Sequence, residues 1–201
     1  MGEGPLRETD FAADPFAQFD AWFAEASGAL RQPEAIALAT ADRHGAPSVR
    51  MVLLKAWDER GFVFFTNYTS RKGGELAANP RGALVLYWEP LGRQVRAEGA
   101  IEHTSDEESD VYFASRPRAS QVAAHASDQS QPLADRAELD AAFGELDRRF
   151  AGRDVPRPHD WGGFRLVPQE VEFWQHREDR LHDRLVYRRE GDGWRLGRLA
   201  P

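Results

Sequence analysis

The 201-residue chain has no cysteine, which excludes disulfides, thiolate metal sites and a cysteine nucleophile. No apolar run approaches the roughly 20 residues that a membrane-crossing helix needs. The start, Met1 to Asp10, lacks the apolar stretch of a secretory leader. These gaps predict a cytoplasmic protein without membrane contact. The nucleotide-loop patterns Gly-x-Gly-x-x-Gly and Gly-Lys-Ser/Thr are missing, as is a Gly-x-Ser-x-Gly elbow. The six histidines show no His-x-x-x-His pairing, so no metal site is expected. Positive charge is in deficit, with 26 Lys+Arg against 33 Asp+Glu and a net charge of −7. That balance argues against a nucleic-acid surface, which draws most of its affinity from phosphate neutralisation. Chemistry must therefore come from His, Arg, Lys, Tyr, Ser and acids, or from a bound cofactor.

The residues present predict one domain over 1–201, with 1–13 as a flexible arm. Phe16, Phe19, Trp22, Phe23 and Ala26 fall at helical spacing between Asp14 and Leu30. Strands are predicted at 35–40, 48–56, 62–66, 83–88 and 94–102. Turns at Asp42-Arg-His-Gly45 and Asp58-Glu-Arg-Gly61 separate the first three, and a short helix at 70–78 follows the third. Five strands in about 70 residues with short connections imply an antiparallel barrel or sandwich. Acid-rich helices follow at 105–115 and 134–150, with Pro117 opening another between them. Strands return at 163–167, 170–175, 184–189 and 194–199. The fold class is mainly β with flanking helices.

Cations are local. Arg50-Met-Val-Leu-Leu-Lys55 carries one at each end of an apolar run, at opposite parity, so a regular strand would send Arg50 and Lys55 to different sides of the sheet. Arg71 and Lys72 follow Ser70, a candidate helix cap, and together could cradle a phosphate; a capped surface helix explains them equally well. Tyr112, Arg116 and Ser120 are spaced by four and could converge as a second phosphate site, or form a salt-bridged helix corner. In the tail, strand alternation would place Arg180, His182 and Arg184 on one face, near Trp174. The whole set suggests a phosphorylated flat cofactor beside a phosphorylated substrate.

These segments, with Thr66-Asn67, Arg93-Gln94-Val95, Gln129-Ser130 and Glu172-Phe-Trp174, resemble the pyridoxamine 5′-phosphate oxidase family from about Asp14 to Pro201. The resemblance implies a split antiparallel β-barrel that binds FMN at the interface of a homodimer. It implies oxidation of pyridoxamine or pyridoxine 5′-phosphate by O2 to pyridoxal 5′-phosphate, with release of H2O2. Carried over by position, it assigns FMN to Arg50, Met51, Val52, Leu53, Leu54, Lys55, Phe65, Thr66, Arg71, Lys72, Gln94, Gln129, Ser130, Trp174 and Arg184. Lys55, Tyr112, Arg116 and Ser120 would hold the substrate phosphate. Arg180 and His182 would act at the substrate ring as the catalytic residues. Phe65 stands where the family often has Tyr, and His125 where it often has Trp. Two rival readings share the barrel: a flavin oxidase of the phenazine-biosynthesis type acting on tricyclic substrates, and a non-catalytic FMN-binding protein.

Overall fold

Asp14 opens the first helix, α1 (Pro15–Ala29), by accepting hydrogen bonds from the Phe16 and Ala17 amides, and Pro15 supplies a pre-set φ in the first turn. The computed structural model describes residues 4–201. Phe16, Phe19, Trp22 and Ala26 on one face of α1 are buried. They plug one end of a barrel, where Phe19 meets Phe62 and Trp57 edge-on at 5.1 and 5.0 Å. Each such aromatic contributes about 2 kcal/mol through burial.

Eight antiparallel strands follow: β1 (Ala35–Ala41), β2 (Pro47–Asp58), β3 (Gly61–Asn67), β4 (Arg81–Trp88), β5 (Arg93–His103), β6 (Trp161–Gln175), β7 (Asp183–Glu190) and β8 (Gly193–Arg198). Their order is β3-β2-β1-β4-β5-β6-β7-β8, and pairing of β3 with β6 closes the first six into a barrel. Aliphatic and aromatic residues such as Ile36, Phe64, Leu86 and Phe173 fill its interior. Closure removes the free edges of the six strands.

Sequence alternation predicts two strands where the structure has the single 15-residue β6. This strand pairs with β5 along its length, with β3 through Trp161–Leu166 and with β7 through Glu170–Gln175. A register shift opposite Glu98/Gly99 marks the break that the pattern suggested. Gly99 is required there, because a Cβ would lie 2.0 Å from the Val167 carbonyl oxygen.

A second correction concerns β2. Leu54 pairs with Phe64 and Ala56 with Val63, leaving Lys55 as an extra residue in a bulge. The bulge breaks the parity argument that separated Lys55 from Arg50.

Helices α2 (Arg71–Ala78), α3 (Asp106–Ser115), α4 (Arg118–Ala126) and α5 (Arg136–Arg149) flank the barrel. A small core of Phe113, Val122, Val155 and Trp161 fastens α3 and α4 to β6. In the stretch 4–13, part of the arm expected over 1–13, Leu6 and Phe11 touch the sheet. The Leu6 amide donates to Asp183 Oδ2 at 3.1 Å, and the Phe11 ring packs on Trp22 and Phe173. Residues 1–3 of that arm lie outside the described residues. No described helix is long and apolar enough to cross a membrane.

Candidate functional site

The Lys55 bulge and the C-terminal half of α3 border a cavity of about 410 Å³. The strand residues Arg50, Met51, Val52, Leu53 and Lys55 line one side, and Phe65, Thr66 and Lys72 line another. Tyr112, Arg116, Gln129 and Trp161 complete it. Arg50 and Lys55 thus serve one cavity, against the parity expectation. Four cations and no carboxylate line it.

Lys72 Nζ is buried and donates to Thr66 Oγ1 at 2.9 Å, Ser70 Oγ at 3.2 Å and Gln129 Oε1 at 2.6 Å. Burial and the nearby Arg50 pull its pKa down to about 8, with Glu75 opposing. Arg116 Nη1 is buried without a hydrogen-bond partner among the described residues. The Arg116 guanidinium lies 4.7 Å from the Trp161 ring, and burial lowers its pKa from the ordinary arginine value, with Tyr112 opposing. An unpaired buried donor is costly, and an anion would satisfy it.

Two organisers of this cavity escaped sequence reasoning. Glu75 accepts from Thr40 Oγ1 at 2.5 Å, Ser48 Oγ at 2.6 Å, Arg50 Nη2 at 3.2 Å and Arg71 Nε at 2.8 Å. Burial alone would raise its pKa, but these bonds pull it down to about 2. The i,i+4 spacing from Arg71 was the available signal, and it looks like an ordinary surface pair. Trp161 stacks with Phe65 at 5.5 Å, and Phe65 with Tyr112 at 4.0 Å, making a flat aromatic wall.

A second cavity of about 190 Å³ shares no residue with the first; Gln94, Arg96, Glu172, Trp174, His182, Arg184 and Pro201 line it. Gln94, Trp174 and Arg184 are register partners across β5, β6 and β7, so they form one row. Arg184 donates to both oxygens of buried Glu172 at 2.8 and 3.0 Å, and Arg96 also bonds that carboxylate. Glu172, missed as an organiser, orients both guanidiniums. Burial would raise its pKa, and the bonds from Arg184 and Arg96 lower it.

The tail differs from the single strand face predicted for it. Only Arg184 lies in β7; Arg180 sits in the preceding turn at φ +68°, and His182 in the loop. A left-handed non-glycine residue stores strain of about 1 kcal/mol and is characteristic of functional loops. The Arg177 amide donates to His182 Nδ1 at 3.0 Å, which leaves Nε2 as the free ring nitrogen, and Trp174 packs on the ring at 4.7 Å. Arg180 is exposed and lines neither cavity.

Four other expected residues also lie outside both cavities. Leu54 is buried in the barrel core, and Arg71 turns its guanidinium to Glu75. The Ser120 amide donates to the Pro117 carbonyl in the first turn of α4, and its side chain is not part of either cavity's lining. Ser130 is exposed at φ +74° beside the cavity residue Gln129. His125 Nε2 contacts the Pro156 carbonyl oxygen at 2.7 Å, outside both cavities.

Between the cavities runs an open groove on the outer face of the barrel, from Val49 on β2 across Ala37, Ala39 and Val85 to Arg96 and Glu172. Val49, Met51 and Tyr87 are large apolar side chains exposed at 69, 64 and 55%, more than an isolated face ordinarily leaves to water.

Comparison with known proteins agrees with this architecture. The pyridoxamine 5′-phosphate oxidase profile matches residues 23–150, and that of the pyridoxine 5′-phosphate oxidase C-terminal dimerisation region matches 161–201. A pyridoxine/pyridoxamine 5′-phosphate oxidase of Rubrobacter xylanophilus is 58% identical over 98% of this chain and 91% of its own. One of Burkholderia pseudomallei is 56% identical over 98% and 93%. The crystal structure of PhzG from Burkholderia lata, in complex with tetrahydrophenazine-1-carboxylic acid, superposes with a TM-score of 0.92 at 37% identity, covering 99% of this chain and 98% of that one. A pyridoxamine 5′-phosphate oxidase-related, FMN-binding protein of Nostoc punctiforme shares the fold alone, with a TM-score of 0.75 at 15% identity over 95% of this chain and 100% of its own. Matching in both its barrel and its C-terminal strands, the chain belongs to the pyridoxamine 5′-phosphate oxidase family.

Proposed function

We propose that the protein is a cytoplasmic oxidoreductase that uses FMN and O2 to convert pyridoxamine or pyridoxine 5′-phosphate into pyridoxal 5′-phosphate. The observation that carries this reading is the first cavity: Arg50, Lys55, Lys72 and Arg116 without a lining carboxylate, and a buried Arg116 Nη1 that lacks a partner. Such a cavity suits two phosphoryl groups. Arg50 and Lys72, oriented through Glu75, Thr66 and Gln129, would hold the flavin phosphate. Lys55, Tyr112 and Arg116 would hold the substrate phosphate, each charge-assisted bond contributing about 1.5 to 3 kcal/mol.

The row Gln94, Trp174 and Arg184 would meet the flavin from a second protomer, because in one chain it lines a different cavity. A homodimer that covers the exposed Val49, Met51 and Tyr87 face would bring the two half-sites together. His182, with Nε2 free, would orient the substrate or move its proton, and Arg180 would pack over the substrate ring. FMN, when bound, would supply the two-electron acceptor for the substrate C4′, with O2 as the final oxidant giving H2O2; with the amine substrate, water would then replace the nitrogen, which leaves as ammonia. The protein's share is to fix two rings face to face and exclude water.

The 0.92 superposition on PhzG supports one other reading, oxidation of a tricyclic substrate bearing a carboxylate. A single experiment decides. The purified protein should show a flavin spectrum, and pyridoxine 5′-phosphate in air should yield equal amounts of peroxide and pyridoxal 5′-phosphate. Turnover of a reduced tricyclic acid alone would establish the other oxidase, and flavin without turnover a binding protein.

A further inference from the structure

Glu108, Tyr112 and Arg116 sit at i, i+4 and i+8, a single stripe of α3 continued by its C-cap. The last two line the cavity, while Glu108 turns to Arg165 on β6. The Arg165 side chain is only 4% exposed. Its Nη1 donates to Asp58 Oδ1 at 2.6 Å and its Nη2 to Glu108 Oε1 at 2.7 Å. Arg60 closes over the same two carboxylates from the solvent side, at 2.7 and 3.0 Å. The other oxygen of Glu108 accepts from the Ser105 amide, so the residue that Arg165 grips also caps α3.

Asp58 is the last residue of β2, three beyond Lys55. Lys55 has no partner in β3, so the ladder does not set its place. One buried guanidinium therefore joins the end of the strand that carries Lys55 to the start of the helix that carries Tyr112 and Arg116. A buried ion pair is a poor source of stability, because desolvation offsets its attraction, but its rigid fork fixes geometry.

We propose that Arg165 is a positioning residue that sets the span between Lys55 and the Tyr112/Arg116 pair, and with it the affinity for the phosphorylated end of the substrate. The inference rests on the reading of this cavity as the substrate-phosphate site. Arg165 does not line the cavity and acts through its bonds to Asp58 and Glu108.

The test uses the holoenzyme. Arg165→Met should raise KM for pyridoxine 5′-phosphate about 10-fold, a cost consistent with misplacement of binding groups by a fraction of an ångström. It should leave kcat within about threefold and FMN affinity within about twofold. In a Lys55→Met background the same change should raise KM less than about twofold, because the span no longer has both ends. An unchanged KM in Arg165→Met, with Lys55→Met raising it, would overturn the positioning role and leave the cavity reading intact. Unchanged KM in both Lys55→Met and Arg116→Met would overturn the cavity reading and this inference with it. Equal losses of KM, kcat and FMN affinity would mark a merely structural residue. If Arg165→Met does not fold, Glu108→Gln keeps an oxygen for the Ser105 amide while removing the charge facing Arg165. Its KM should rise about threefold, and no change would refute the proposal.

Discussion

Lys72 makes the proposed flavin site measurable by pH alone. The residue is 6% exposed, its ammonium group is bonded to three neutral oxygens, and its pKa lies at about 8 instead of the usual 10.5. A phosphate dianion docked beside it would favour the charged form and raise that value again. Below pH 8 the free and loaded sites both carry the proton, and affinity is flat. Above it the free site has lost the proton that the loaded site needs, so binding takes one up and weakens as pH rises. From pH 7 to pH 9 the charged fraction of a group with pKa about 8 falls about 10-fold, so FMN affinity should fall about 10-fold, or ~1.4 kcal/mol. The phosphate itself is already dianionic over this range, since its second ionisation lies near pH 6. Quenching of flavin fluorescence on titration with apoprotein measures the constant at each pH. Riboflavin, with the same ring and no phosphate, should show a flat profile, and Lys72→Met should bind FMN more weakly and without the slope. An FMN affinity that changes less than about twofold between pH 7 and 9, or equal slopes for FMN and riboflavin, would refute the assignment.

Glu75 gives a stability signal of opposite sense. Its folded pKa of about 2 lies below the usual 4.5, so its contribution is complete above pH 4.5 and disappears as pH falls toward 2. Glu75→Gln should therefore cost about 1 to 2 kcal/mol in urea unfolding at pH 7, allowing for solvent screening near the cavity, and progressively less toward pH 3. Trp161→Leu removes the ring 4.7 Å from the Arg116 guanidinium and should raise KM for the phosphorylated substrate about 5- to 30-fold, with FMN affinity nearly constant. Val49→Glu combined with Tyr87→Glu places charges on the exposed apolar face and should halve the mass seen by light scattering; an unaltered dimer would show that the protomers meet elsewhere.

Much of the architecture follows from local pattern, because helix and strand periods are set by residues a few positions apart. The Phe16/Phe19/Trp22/Ala26 stripe, the Asp42–Gly45 and Asp58–Gly61 turns and the strand pairs they join stand in the structure close to where the sequence puts them. Spaced motifs likewise carry the family and many of the cavity residues, from Arg50 to Gln129.

Alternation failed wherever the chain departs from a regular strand. Lys55 joins Arg50 at one cavity because a bulge breaks the period, and Arg180 leaves the cavity that His182 and Arg184 share because its backbone turns before β7 begins. Only the folded barrel aligns Gln94, Trp174 and Arg184, which lie 80 and 10 residues apart along the chain, since that row depends on register across three strands. Glu75, Glu172 and Arg165 went unread as organisers for a related reason: apart from the local Arg71–Glu75 pair, the charges each one orders come from other elements, and no local spacing encodes a meeting that closure of the barrel creates.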